Sequence, residues 1–159
     1  MRRIAVLGAT GSIGRQALEV CAADPELEVC ALASGSTPLD ALSAEYPGAL
    51  AQVGGDLAAL LDAAAPDVVL NAVVGFAGLP ATLWALEQGA TLALANKESL
   101  VAAGDLALAA QERGGGLLLP VDSEHSAVFQ CLEGRARETV DSILFASVAA
   151  FYTILAYTT

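Results

Sequence analysis

Short apolar, β-branched runs alternate along this chain with stretches whose apolar positions recur every three to four residues. That alternation sets the expected elements. Arg3 to Leu7 (RIAVL) ends at Gly8 and reads as a strand buried on both faces. Ser12 to Ala23 puts Ile13, Ala17, Leu18 and Cys21 on one helical face, and Asp24-Pro25 stops it. Leu27 to Ala33 is a second strand, followed by a Gly35-Ser36-Thr37-Pro38 loop. Thr37 or Asp40 is expected to cap a short helix over Ala41 to Tyr46. Leu50 to Val53 is a weak strand, Asp56 to Ala65 a helix and Asp67 to Ala72 a clear strand. A loop holding Gly75 and Gly78 leads to a helix over Leu79 to Gln88, closed by Gly89. Leu92 to Ala95, Ser99 to Arg113 and Leu117 to Val121 read as strand, helix and strand, with Gly114-Gly115-Gly116 as a break. Ser123 to Leu132 is a helix, and Thr139 to Ala146 a last strand.

Strand and helix taken in turn, with short connections, predict an α/β fold. It is a Rossmann-like doubly wound, mostly parallel sheet with helices on both faces. No internal repeat, linker or low-complexity tract interrupts it, and 159 residues suit one domain with a sizeable core. The segment from Ser142 to Thr159 carries no charge over 18 residues. Its three Thr, two Ser and many β-branched and aromatic residues favour strands over a membrane helix, which needs about 20 mostly apolar residues.

Charge narrows the partners. Seven Lys+Arg against 18 Asp+Glu give a net charge of −11, which argues against a nucleic-acid backbone as ligand. Cys21, Cys30 and Cys131 are odd in number and contain no CxxC pair. Neither a disulfide framework nor a zinc knuckle is expected, and a reducing, cytoplasmic setting is. Met1-Arg2-Arg3 is followed by an apolar run too short for a targeting peptide.

The chemistry concentrates at predicted strand ends. Gly8-Ala9-Thr10-Gly11-Ser12-Ile13-Gly14 lies between the first strand and the first helix, spaced GxxGxxG. Gly8 would allow the tight turn, Gly11 the approach of a pyrophosphate, and Gly14 close helix–strand packing. The helix N-terminus then offers N–H groups to anionic oxygens. A purely structural tight turn is the alternative. Past the second strand, Ala33-Ser34-Gly35-Ser36-Thr37 has no acid to bind a ribose 2′-hydroxyl, which favours NADP over NAD, although no arginine stands there either. Ser36 and Thr37 read equally well as loop and cap residues.

Two further polar stretches follow strands. Asn96-Lys97-Glu98 holds the sole lysine, and Asp122-Ser123-Glu124-His125 holds the sole histidine. With Asn71, they should share the edge that carries the glycine turn, because ligands of open α/β sheets bind beyond the carboxyl ends of the strands. Asp122 and Glu124, two apart, can offer oxygens to Mg²⁺ or Mn²⁺. Alternatively, Asp122 or Ser123 caps the next helix and Glu124 favours its positive end. Lys97 could hold a substrate hydroxyl or phosphate, or pair with Glu98 on the surface. His125 reads as a helix-surface residue.

The motifs GATGSIG, NAVVGFAGLPATLWALEQGATLALANKESLVAAG and LLLPVDSEHSAVFQCL together closely resemble the 1-deoxy-D-xylulose 5-phosphate reductoisomerases, over roughly residues 1 to 146. The resemblance implies an NADPH-dependent isomerisation and reduction of 1-deoxy-D-xylulose 5-phosphate to 2-C-methyl-D-erythritol 4-phosphate, in non-mevalonate isoprenoid synthesis. It also implies a divalent cation, Mg²⁺ or Mn²⁺, and a cytoplasmic homodimer that is neither a nucleic-acid nor a membrane binder. Position by position, it implies that Thr10, Gly11, Ser12, Ile13, Gly35, Ser36, Asn96 and Glu98 bind NADPH. Lys97, Ser123, Glu124 and Ser147 would contact the phosphorylated sugar, Asp122 and Glu124 would hold the metal, and Lys97, Asp122 and Glu124 would carry catalysis.

Two departures from the family pattern stand out. Gly35-Ser36-Thr37 replaces the family's frequent Gly, basic residue and Asn, and Ser147 is followed by Val148-Ala149-Ala150-Phe151 rather than Gly-Gly-Pro-Phe. The family's third carboxylate ligand, its mobile loop and its C-terminal helical domain have no counterpart in the motifs. Residues 1–121 are therefore expected to form the NADPH-binding domain and residues 122–159 an incomplete start of the catalytic region, with low or no turnover alone. The competing readings are a nucleotide-sensing domain without catalysis and a semialdehyde-dehydrogenase-type enzyme. The latter would need Cys131 and His125 as nucleophile and base, but six positions apart on one helix they face different ways.

Overall fold

The computed structural model describes residues 1–95, 97–134, 136, 139, 140 and 142, without the side chains of residues 97, 98, 99 and 102. Six parallel strands, β1 (Arg2–Leu7), β2 (Leu27–Ser34), β3 (Leu50–Val53), β4 (Val68–Asn71), β5 (Thr91–Leu94) and β6 (Leu117–Pro120), form one sheet in the order β3-β2-β1-β4-β5-β6. The order reverses between β1 and β4, and a doubly wound sheet opens a ligand crevice at that point.

The helices are α1 (Ser12–Ala23), α2 (Asp40–Glu45), α3 (Leu57–Ala64), α4 (Leu79–Glu87), α5 (Lys97–Gly114) and α6 (Ser123–Leu132). Successive strand side chains point to opposite faces, so β1 feeds two cores. Ala5 and Leu7 pack with Leu61 of α3, Ala85 and Leu86 of α4 and Ala107 of α5. Ile4 and Val6 pack with Leu18 and Cys21 of α1, and Leu42 and Tyr46 pack against the same cluster. Burial on both faces explains why β1 and β4 read as continuous apolar runs rather than alternating ones.

The alanine excess has a place in this packing. Ala81 and Ala85 of α4 and Ala107 and Ala110 of α5 are fully or almost fully buried, so the two helices approach over methyl groups. The glycines that end this region are as tightly held. A Cβ on Gly114 would lie 2.2 Å from the Glu87 carbonyl oxygen, and one on Gly116 2.6 Å from Leu86 Cα.

The elements differ from expectation in detail. Helix α2 has Leu39 at its N-cap with no side-chain capping bond, so neither Thr37 nor Asp40 caps it, and Asp40 sits in the first turn. Helix α3 starts one residue later than expected, with Asp56 as its N-cap accepting from the N–H groups of Ala58 and Ala59. Helix α5 is two pieces, because Ala103 leaves helical geometry at φ −140°, ψ 31°. The expected strand from Thr139 starts differently, since the Thr139 N–H and hydroxyl both bond the Ala136 carbonyl in a turn. The rest of that strand lies, but for Val140 and Ser142, outside the described residues. Among the described residues no helix is long and apolar enough to cross a membrane.

Candidate functional site

The glycine turn sits at the carboxyl end of β1, beside the reversal of strand order. Gly8 has φ +83°, and a Cβ there would lie 2.6 Å from the Ala72 carbonyl oxygen at the end of β4, so only glycine fits. A Cβ on Gly14 would come within 2.3 Å of the Gly8 carbonyl oxygen and 2.8 Å of Ala9 Cα, which is why α1 can begin directly against the strand it leaves. Gly11 is different: at φ −75° it is the N-cap, and a Cβ would meet only Gly8 O, at 3.3 Å. Crowding at Gly11 is thus milder than at Gly8 or Gly14. No side chain caps α1 and no acid occupies its first turn, so its leading N–H groups keep their capacity for an anion.

Thr10, Ser12 and Ile13 flank this turn. Arg15, one turn into α1, donates from Nε to the Thr10 carbonyl at 3.1 Å. Past β2, Gly35, Ser36 and Thr37 are exposed. No atom lies within 4 Å of a Cβ on Gly35, and the Ser34 hydroxyl donates to the Thr37 carbonyl, holding the loop closed.

Asn71 reaches the same edge but turns inward. Fully buried, it donates from Nδ2 to the Gly78 carbonyl (2.7 Å) and the Thr82 hydroxyl (3.0 Å), and its Oδ1 accepts from Val73 N–H at 3.3 Å. Its role is to tie the 3-10 turn over Gly75–Gly78 to the strand end. Lys97 opens α5 directly beyond β5, which puts its backbone on the ligand edge. Asn96, Ser147 and the side chains of Lys97 and Glu98 lie outside the described residues.

At the end of β6, the capping expectation for Asp122 holds. Asp122 is the N-cap of α6, its Oδ1 accepting from the His125 N–H at 3.3 Å and meeting His125 Nδ1 at 2.5 Å. His125 is 7% exposed, not a helix-surface residue: packing of α6 onto β6 buries its ring. With Oδ1 engaged, Asp122 Oδ2 is buried and has no hydrogen-bond partner among the described residues. Glu124 follows in the same first turn and accepts a hydrogen bond from the Ser123 hydroxyl at 2.9 Å.

A buried carboxylate oxygen without a donor, two residues from a second, exposed carboxylate, is the chemistry a hard divalent cation takes. The residues present therefore fit a Mg²⁺ or Mn²⁺ ion as two protein ligands. Among the described residues no cluster of three His, Cys, Asp or Glu comes together, so the remaining positions would fall to water, substrate or other side chains. The His125–Asp122 contact went unread in the sequence, although a histidine three positions after an acidic N-cap is the spacing that permits it. Cys131, by contrast, is exposed while His125 is buried and engaged with Asp122, which leaves no nucleophile–base pair of the semialdehyde-dehydrogenase kind.

Comparison with known proteins agrees with this geometry. The family model for 1-deoxy-D-xylulose 5-phosphate reductoisomerase matches residues 4–53 and 50–104, and that for the C-terminal domain of the same enzyme matches residues 118–157. The second match runs past Ser147, where the recognisable motifs stop. The reductoisomerase of Mycobacterium leprae is 47% identical over 162 residues, covering 89% of this chain and 39% of that protein. That of Geobacillus kaustophilus is 44% identical over 177 residues, covering 95% of this chain and 46% of its own length. Among solved structures, a reductoisomerase in complex with NADPH, fosmidomycin and magnesium superposes with a TM-score of 0.76 at 35% identity, over 84% of this chain and 40% of that one. The Zymomonas mobilis enzyme in complex with NADPH gives 0.71 at 38% identity, over 87% of this chain and 43% of that one. The chain thus spans about two fifths of the length of the curated relatives it matches. From the glycine turn to the carboxylates after β6, it belongs to the 1-deoxy-D-xylulose 5-phosphate reductoisomerase family.

Proposed function

We propose that this chain carries the cofactor-binding part and the first metal ligands of an enzyme that converts 1-deoxy-D-xylulose 5-phosphate to 2-C-methyl-D-erythritol 4-phosphate, in non-mevalonate isoprenoid synthesis. The observation that carries the reading is one edge of one sheet. An uncapped helix N-terminus with a glycine of ordinary φ lies after β1, and a buried carboxylate oxygen without a donor lies after β6. Residues 1–121 form the NADPH-binding domain and residues 122–159 begin the catalytic region. The gap between the two family matches, from 104 to 118, supports a division near there.

In this reading Thr10, Gly11, Ser12 and Ile13 cradle the pyrophosphate on backbone N–H groups, and Gly35 and Ser36 receive the adenosine end. Asn96 and Glu98 complete the cofactor site beyond β5. Lys97, Ser123, Glu124 and Ser147 hold the phosphorylated sugar, Lys97 as a compact positive charge for a hydroxyl or phosphate oxygen. Asp122 and Glu124 hold Mg²⁺ or Mn²⁺, and with Lys97 they carry catalysis. When bound, the metal polarises the substrate's oxygen atoms and NADPH supplies the hydride. His125 holds Asp122 by Oδ1, which leaves Oδ2 for the metal. The whole protein works as a cytoplasmic homodimer.

Titrating the chain with NADPH by fluorescence and with Mn²⁺ by electron paramagnetic resonance tests this. Saturable binding of both is expected, with Mn²⁺ affinity lost and NADPH affinity kept when Asp122 and Glu124 are both replaced by alanine. Unchanged Mn²⁺ affinity in that variant removes the metal assignment. NADPH binding with no Mn²⁺ binding by the parent chain favours a nucleotide sensor instead.

A further inference from the structure

We propose that Arg15 is the side chain that recognises the 2′-phosphate of the nucleotide, reaching it from α1 rather than from the loop after β2. This rests on the nucleotide reading above and adds to it the residue that selects NADPH over NADH. The loop after β2, Gly35-Ser36-Thr37, brings no acid for a free 2′-hydroxyl and no base for a phosphate, so on sequence alone the choice between the two cofactors has no charged residue behind it.

The structure supplies that charge from twenty positions earlier. A groove of about 430 Å³ runs between α1 and α2, lined by Thr10, Arg15 and Leu18 on one side and by Thr37, Pro38 and Tyr46 on the other. That volume is within the range of small-ligand clefts, roughly 300–1,000 Å³. The groove joins the glycine turn to the loop after β2, the two segments between which an adenosine ribose lies in this fold. Arg15 is tethered at its Nε to the Thr10 carbonyl, 3.1 Å away, and lines the groove, so its terminal amino groups are left for a bidentate contact.

Charge elsewhere sharpens the assignment. In a chain of net charge −11, Arg15 is the one arginine among the described residues at the carboxyl edge of the sheet. Arg2 and Arg3 open β1 at the opposite edge, and Arg113 is paired there with Glu87 at 2.5 Å. Glu19 and Glu45 also line the groove, yet among the described residues Arg15 forms no salt bridge with either. Those two carboxylates repel a phosphate and leave the part of the groove beside Arg15 and Thr37 as its favourable position.

The test is a fluorescence titration of the folded chain with NADPH and with NADH, for the parent and for Arg15→Gln and Arg15→Lys, with 2′,5′-ADP as competitor. The parent is expected to prefer NADPH by tenfold or more. Arg15→Gln should lose about tenfold in NADPH affinity and shift NADH affinity by less than about twofold. Arg15→Lys should fall between them, because an ammonium keeps the charge without the fork, and 2′,5′-ADP should displace NADPH from the parent more effectively than from Arg15→Gln. Equal losses for both cofactors in Arg15→Gln, or no loss for either, overturn the assignment to Arg15 while leaving the nucleotide site intact. Failure of the parent chain to bind either cofactor overturns the nucleotide reading itself.

Discussion

Asp122 shows how one residue leaves room for two readings that its sequence offers as alternatives. A carboxylate has two oxygens, and here Oδ1 caps α6 and engages His125 while Oδ2 is buried without a donor. Capping and the proposed metal binding are therefore compatible: the cap engages one oxygen and leaves the other. If His125 holds that orientation, His125→Ala should weaken Mn²⁺ affinity by about tenfold, the lower end of the effect of losing an outer-shell partner. An electron paramagnetic resonance titration reads this, with a circular dichroism melt to confirm folding, and an unchanged affinity would show that Asp122 is oriented without the ring. The Asp122-Ser123-Glu124 cluster was legible because its residues are adjacent. The burial of His125 was not, because it depends on how α6 lies on β6. Arg15 was hidden for a similar reason, since its proximity to Thr37 is made by the crossing of α1 and the loop after β2.

Among the elements, the strand–turn–helix unit of β1 and α1 was read from sequence almost to the residue, α1 without error over Ser12–Ala23. Its constraints are local and steric, written in glycines that nothing else replaces. Those glycines have separable jobs, which gives a paired prediction. Gly14→Ala puts a methyl 2.3 Å from the Gly8 carbonyl oxygen and should cost about 1–3 kcal/mol of stability together with NADPH binding. Gly11→Ala meets only one atom at 3.3 Å and has ordinary φ, so stability should stay within about 0.5 kcal/mol while NADPH affinity falls. Urea unfolding beside NADPH titration distinguishes them; equal loss of stability in both would mean that Gly11 serves packing rather than ligand approach. Helix α2 was less legible. It is short and takes its place from Leu39 in the core and Tyr46 packed against it, and the polar cap its sequence suggests is absent. The break at Ala103 in α5 lies beside Gly104, a residue that weakens a helix interior, and the helix expected over Ser99 to Arg113 ran through it.

A doubly wound, parallel sheet follows from strands separated by helices, and this level of the fold was the most legible, although the order β3-β2-β1-β4-β5-β6 was not read from the sequence. Two thiols inside it make stability depend on pH. Burial raises the pKa of Cys21 and of Cys30, so both stay neutral in the fold while the unfolded chain ionises them near the ordinary value of about 8.5. The unfolded state then binds fewer protons than the folded one, and stability must fall as pH rises above that value. The urea midpoint should decline between about pH 8 and pH 10, and the decline should be shallower in a Cys21→Ala, Cys30→Ala chain. A slope unaffected by the double substitution would place the alkaline sensitivity elsewhere, for instance at Tyr46, whose pKa burial also raises.

The central claim for the molecule is that the glycine turn after β1 and the carboxylates after β6 serve one site, with the nicotinamide end of the cofactor directed toward the metal. Paramagnetic relaxation of bound NADPH by Mn²⁺ measures this directly, because the effect falls steeply with distance. Nicotinamide protons should relax much faster than adenine protons when Mn²⁺ is added to the parent chain, and the difference should vanish in the Asp122→Ala, Glu124→Ala chain. Equal relaxation at both ends of the cofactor, or a pattern unchanged by the double substitution, would contradict the account.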